Sequence, residues 1–192
     1  MYHIKEDRRS QASAAAVVRG LQDCLKVKPL KSVTVSDLHK ATGISRATFY
    51  RLFDTPEDVL IYQLDQMTEA ASALYEERSD LPAAELLEKT IASGLENHDF
   101  IRALVANGRQ DLLFRYTEKS FHKLDTLKAI FPQDLDQPER DYIIAHLSMS
   151  MVATQITWAR NGQKETPKDL IQYLKRYTDV VSALIGEETG TE

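Results

Sequence analysis

Residues 34–53 read Thr34-Val35-Ser36-Asp37-Leu38-His39-Lys40-Ala41-Thr42-Gly43-Ile44-Ser45-Arg46-Ala47-Thr48-Phe49-Tyr50-Arg51-Leu52-Phe53. Thr34 is placed to cap a helix, and Asp37 three residues on gives a capping-box-like start to a short helix that reaches Ala41. Thr42-Gly43-Ile44-Ser45 breaks it. Ser45 then caps a second short helix, because its hydroxyl is placed to accept from the backbone N–H near Thr48, and Arg46 to Leu52 continue that helix. The segment is therefore two short helices around a Gly-containing turn.

Outward from this segment the chain reads as all-α. Upstream, Val17, Val18, Leu21, Cys24 and Leu25 follow helical spacing in one amphipathic helix from about Asp7 to Val27, which stops before Pro29. Downstream, Asp54-Thr55-Pro56 opens a long helix to about Glu77, marked by Val59, Leu60, Leu64, Met67, Ala71 and Leu74. Further helices are expected from Asp80-Leu81-Pro82 to Asn97, from Phe100 to Val105, and from the break at Asn107-Gly108 to about Ile130. Pro132 and Pro138 bracket a loop. From Pro138 to Asn161 the chain is apolar on nearly all sides, with Ile143, Ile144, Leu147, Met151, Val152 and Ile156, which implies burial beyond one face. A last helix begins at Pro167. The expected organisation is a three-helix, helix-turn-helix N-terminal domain over residues 1–54 and a larger helical domain over 55–192.

Composition narrows the function. The 192 residues, 43% hydrophobic and 28% charged, suit one domain or a small domain joined to a larger one. No apolar run is long enough to span a membrane, and the start Met1-Tyr2-His3-Ile4-Lys5 is no export leader, so a cytoplasmic location without membrane partners is expected. The single Cys24 excludes an intrachain disulfide and a multi-Cys zinc site, and its apolar neighbours suit a buried structural thiol. The histidines at 3, 39, 98, 122 and 146 form no His-x-x-x-His pair, so no metal is expected. Nucleotide-binding loops and nucleophile motifs are absent, which argues against an enzyme and against a cofactor. The net charge of −5 hides an asymmetry: residues 1–55 hold 10 Lys and Arg against 5 Asp and Glu, and the rest hold 14 against 24. A basic head on an acidic body suits a polyanionic partner.

Helix, turn, helix, packed on a preceding helix, is the arrangement that lays a short second helix in the major groove of double-stranded DNA. Arg46 and Ala47 suit base edges, the first as a bidentate donor to guanine and the second as a small residue at close approach. Ser45, Thr48 and Tyr50 suit phosphates, and Thr34 and Arg51 complete the expected DNA-binding set. The same spacing also fits a helical corner whose Arg and Tyr are merely solvated. In the larger domain, Phe100, Phe114, His122, His146 and Met149 are candidates to line a small-molecule cavity; aromatics at helical spacing are more often core.

Val33 to Leu38, Gly43 to Tyr50, Phe53 and Glu57-Asp58-Val59-Leu60 resemble the N-terminal DNA-binding signature of TetR/AcrR transcriptional regulators. The Arg-x-Thr-Phe-Tyr form resembles a subgroup common in Firmicutes. Phe100 to Leu104 through Asn107-Gly108, and Trp158 to Gly162 followed by Thr166 to Leu170, are similar to the same subgroup. The resemblance implies a ligand-responsive homodimeric repressor on a palindromic operator, with an effector of unknown identity. It also implies that the last two long helices pair across a twofold axis, through Leu174, Tyr177, Val181 and Leu184. The alternative is a coactivator or protein-interaction module that keeps the fold with weakened DNA binding. Three positions depart from the family: Pro56 stands where a phosphate-binding Lys is usual, and His39 and Thr42 stand where Ala is usual. At His39 either the helix pair splays slightly or the imidazole tilts outward to a phosphate.

Overall fold

The structure, a computed structural model, describes residues 1–77, 81–123 and 134–186. The described residues form α1 (Arg8–Leu25), a 3-10 turn (Leu30–Ser32), α2 (Val35–Thr42), α3 (Arg46–Leu52), α4 (Pro56–Glu77), α5 (Ala83–Glu96), α6 (His98–Ala106), α7 (Gln110–Lys123), α8 (Gln137–Arg160) and α9 (Pro167–Ile185). The all-α class expected from the sequence is the one observed. The helix expected to reach Ile130 is described as far as Lys123; residues 124–133, with Ile130 and Pro132, lie outside the described residues.

Side-chain caps fix most of the helix starts. Asp7 accepts from the Ser10 amide at α1, and Ser45 accepts from the Thr48 amide at α3. Thr34 with Asp37, Asp136 with Glu139, and Thr166 with Asp169 form complete capping boxes at α2, α8 and α9. Each such cap contributes about 1 kcal/mol by satisfying amides that the helix leaves unpaired. Gly43 ends α2 at φ +72°, a left-handed conformation that a side chain would strain.

The larger core runs straight across the expected boundary at residues 54 and 55. Leu21, Leu38, Phe49, Leu52 and Phe53 of the first 54 residues pack in one cluster with Leu60 of α4, Phe100, Ile101 and Leu104 of α6 and Leu113 of α7. A second cluster joins Ile91 of α5, Phe121 of α7, Ile144, Met151 and Trp158 of α8, and Leu170 and Ile171 of α9. The Trp158 indole donates to the Glu165 carbonyl at 3.1 Å, which fastens the turn between α8 and α9. Cys24 is buried in the first cluster, and burial pushes its thiol pKa up.

The polar N-terminal stretch, which lacks periodicity, is held by contacts distant in sequence. Tyr2 makes an antiparallel bridge with Phe53, and the His3 amide donates to the Leu52 carbonyl at 2.8 Å. The Tyr2 hydroxyl donates to Asp65 at 2.9 Å, and its ring meets Tyr62 edge-on at 5.2 Å. Burial, then the Asp65 bond, pushes the Tyr2 hydroxyl up to about 12. The strap ties the end of α3 to the middle of α4.

Candidate nucleic-acid interface

The amphipathic register of α3 separates a buried side from an exposed one. Phe49 and Leu52 point into the core at 2% and 1% exposure, while Ser45, Arg46, Ala47, Tyr50 and Arg51 are exposed. Thr48 is half-buried, and Thr34 is exposed at the start of α2. The expected DNA-binding residues thus fall on the surface of one helix-turn-helix unit, backed by a packed core.

Their hydroxyls divide by role. Ser45 accepts from the Thr48 amide and donates to the Thr48 hydroxyl at 3.0 Å. Thr34 donates to Asp37 at 2.7 Å and accepts from its amide. Both are therefore committed to capping, and their side chains fix where α2 and α3 begin. Thr48 and Tyr50 keep a hydroxyl hydrogen for an outside acceptor. Asp37 is engaged by Lys28 at 2.8 Å and by Thr34, and these bonds hold its carboxyl well below the usual carboxylate range. Among the described residues Lys31, Lys40 and Arg51 make no ion pair, so their charge faces outward unneutralised.

The two departures within the motif have local explanations. His39 is exposed and its Nδ1 lies 2.8 Å from the Ile44 carbonyl, so the imidazole braces the Gly-containing turn. Thr42 donates to the Leu38 carbonyl at 2.7 Å and accepts from the Ile44 amide at 3.1 Å. Its methyl group lies against Gly20 of α1, where an added Cβ would collide with Thr42 Cγ2. The absence of a side chain at Gly20 makes room for the larger residue at 42.

The helix-turn-helix unit meets the rest of the chain at the corner between α6 and α7. Asn107 accepts from the Leu30 amide at 2.6 Å and donates to the Ala103 carbonyl at 2.7 Å. Arg109 spans Asp111 and Glu57, at 2.9 and 2.5 Å, and these two carboxylates raise its pKa further. Pro56 and Glu57 at the start of α4, with Leu30, Lys31, Asn107 and Arg109, line a cleft of about 630 Å³ between the two parts. The sequence did not single out Arg109; an Arg just after a Gly-containing break was the available signal.

The candidate effector residues are not gathered around one cavity. Phe100 is buried in the first core and Phe114 packs against it. His122 is exposed at the end of α7, and His146 is exposed with its Nδ1 2.7 Å from its own Tyr142 carbonyl. Met149 is 54% exposed in a groove of about 340 Å³ between α8 and α9, with Ala153, Thr157, Tyr173 and Tyr177. Helical spacing placed these side chains correctly on helices, but packing sends them to separate environments.

The stripe expected on the last helix is split between two exposed and two half-buried residues. Leu174 is half-buried and packs against the second core with Leu170 and Ile171, because the first half of α9 rests on α5. Val181 is half-buried, while Tyr177 and Leu184 are exposed as expected. Tyr173 and Val180 complete the outward row, which runs at helical spacing through 173, 177, 180 and 184. On α8, Tyr142 and Met149 are exposed in the same way.

Residues 83–179, just over half of the chain, match a family described as "Transcriptional regulator C-terminal region" (TetR_C_8). The chain belongs to the TetR family of transcriptional regulators. The HTH-type transcriptional regulator EthR of Mycobacterium tuberculosis is 35% identical over 68 residues, which is 35% of this chain and 32% of that protein. This TetR-family chain thus matches about a third of the length of those curated relatives. A TetR transcriptional regulator from Streptococcus agalactiae shares the fold at a TM-score of 0.60 and 21% identity, over 88% of this chain and 94% of that one. Lin0861 from Listeria innocua superposes at 0.76 and 13% identity, over 93% and 96%. EthR and the Streptococcus agalactiae protein are both named as transcriptional regulators. Among the described residues of the TetR-family chain, no helix is long and apolar enough to cross a membrane.

Proposed function

We propose that this TetR-family chain is a homodimeric repressor that inserts α3 into the major groove of a palindromic operator. The observation that carries this reading is the exposed row of Arg46, Ala47, Tyr50 and Arg51 on a short helix whose other side is locked in the core. A rigid helix presenting a guanidinium, a small residue and a hydroxyl has the chemistry for base edges and phosphates. Residues 1–54 act as the DNA-binding part and 55–192 as the part that dimerises and responds to a small molecule. The Arg-x-Thr-Phe-Tyr pattern of α3 supports placement in the Firmicutes-type subgroup, and the intracellular location follows from DNA as the partner.

A second copy of the chain is the partner for the exposed apolar row of α8 and α9, since a twofold axis lets one self-complementary patch serve both subunits. An effector acts only if it favours one spacing of the two α3 helices over another. The path for that is α4, whose first turn is joined by Arg109 to the corner of α6 and α7. The test is a mobility shift with DNA upstream of the chain's own gene, at several salt concentrations. A discrete complex that weakens steeply with salt and outcompetes scrambled DNA is the expected result. Equal binding to both DNAs would defeat the operator-reading claim.

A further inference from the structure

Arg46 does not project freely from α3. Its Nη2 donates to the hydroxyl of Ser36 at 2.6 Å, across the turn from the first residue of α3 to the first turn of α2. Ser36 has no part in capping α2, which Thr34 and Asp37 complete between themselves. Among the described residues this is the bond that the Ser36 side chain makes.

The kind of tether matters. Arg109, elsewhere in the chain, is held by two carboxylates, which fix it and also neutralise it. A carboxylate on Arg46 would compete with guanine for the same donors. Asp37, next to Ser36 in the sequence, is occupied by Lys28 and Thr34. A hydroxyl instead takes one of the guanidinium's five N–H groups, leaves the charge intact, and leaves other donors for a base. Ordering a long side chain before binding removes part of the entropy that binding otherwise costs.

We infer that Ser36 is a specificity-determining positioning residue: it holds the Arg46 guanidinium in a fixed orientation, charged and with donors free, before α3 meets the operator. The inference rests on the reading of α3 as the DNA-reading helix. It assigns no direct base contact to Ser36.

The experiment uses a palindrome enriched from random duplex DNA by the full-length wild-type protein, and a scrambled duplex of the same length. The ratio of the two affinities is measured for wild type, Ser36→Ala, Ser36→Thr, Arg46→Ala and the Ser36→Ala/Arg46→Ala double variant, after circular dichroism of each. Ser36→Ala should lower the ratio about 3- to 10-fold, the range for leaving one long side chain unordered. It should leave the salt slope unchanged, since no charge is removed. Ser36→Thr, which keeps the hydroxyl, should restore the ratio. In the Arg46→Ala background the Ser36 substitution should change the ratio no further.

An undiminished ratio in Ser36→Ala, an equal fall in both backgrounds, or failure of a folded Ser36→Thr protein to restore it would each overturn the inference while leaving the operator reading in place. An undiminished ratio in Arg46→Ala would instead overturn the reading of α3, and the role of Ser36 with it.

Discussion

Two exposed faces of this chain are built on opposite terms. The surface of α2 and α3 is polar and basic, the Thr34, Ser36 and Ser45 hydroxyls and the Asp37 carboxylate are engaged by named bonds, and Phe49, Leu52 and Phe53 lock it from behind. The face of α8 and α9 carries Tyr142, Met149, Tyr173, Tyr177, Val180 and Leu184 in the open, with Leu184 at 79% exposure. The first face keeps unneutralised cations next to a rigid scaffold, which suits a polyanion. The second leaves apolar area in water, which costs free energy until something apolar covers it. Exposure alone does not say what a surface meets; the chemistry of what is exposed does.

The difference breaks most sharply if the second face is charged. Tyr177→Glu with Leu184→Glu should give folded monomers in sedimentation velocity, because neither side chain belongs to either core of its own subunit. Binding to a palindrome should fall by about 100-fold or more, since two linked contacts become one. Leu174→Glu is a control of opposite character: it packs against the second core, so it should lower the melting temperature of the chain itself. A stable dimer from the Tyr177/Leu184 variant would move the interface to another face.

On the first face, Arg46→Ala should cost about 1 to 3 kcal/mol on the operator and little on scrambled DNA, as for a bidentate guanine contact. Equal losses in competition titrations would assign Arg46 to phosphate.

Behind that face, Gly20→Ala should destabilise the chain by about 1 to 3 kcal/mol in urea unfolding, because the added methyl meets the β-branched Thr42, pinned by two hydrogen bonds. Adding Thr42→Ala should recover most of that loss. Additive effects of the two substitutions would show that α1 and α2 do not press on each other here.

These comparisons also show what was legible in the sequence. The caps at Thr34, Ser45 and Thr166 are local, so three residues suffice to read them, and the helix-turn-helix segment followed from them. The strap of Tyr2 and His3 was not legible, because its partners Phe53, Asp65 and Tyr62 lie some fifty or more residues away. In the row expected on α9, Tyr177 and Leu184 are exposed while Leu174 and Val181 are half-buried; Leu174 and Tyr173 are both apolar, and only the packing of α9 on α5 decides which turns inward. The scattering of Phe100, His122 and Met149 has the same cause: spacing gives a side chain's place on its own helix, and tertiary packing gives its neighbours.

The smallest effect concerns the start of α4. Pro56 stands at the first helical position behind the Thr55–Asp58 cap, beside Lys31 and Glu57. Pro56→Lys should steepen the slope of log affinity against log salt by about 2 per dimer, one phosphate contact from each subunit. It should cost a few tenths to about 1 kcal/mol in stability, because proline's fixed φ favours the helix start. An unchanged slope would mean that this helix start does not face phosphate.

The central claim is that one face reads DNA while the other joins two copies. Its most direct measurement is analytical ultracentrifugation of the wild-type chain with the full palindrome and with a single half-site of equal length. The account predicts two chains on the palindrome and a much weaker complex on the half-site. Equal affinity for both duplexes, with one chain bound to each, would contradict it.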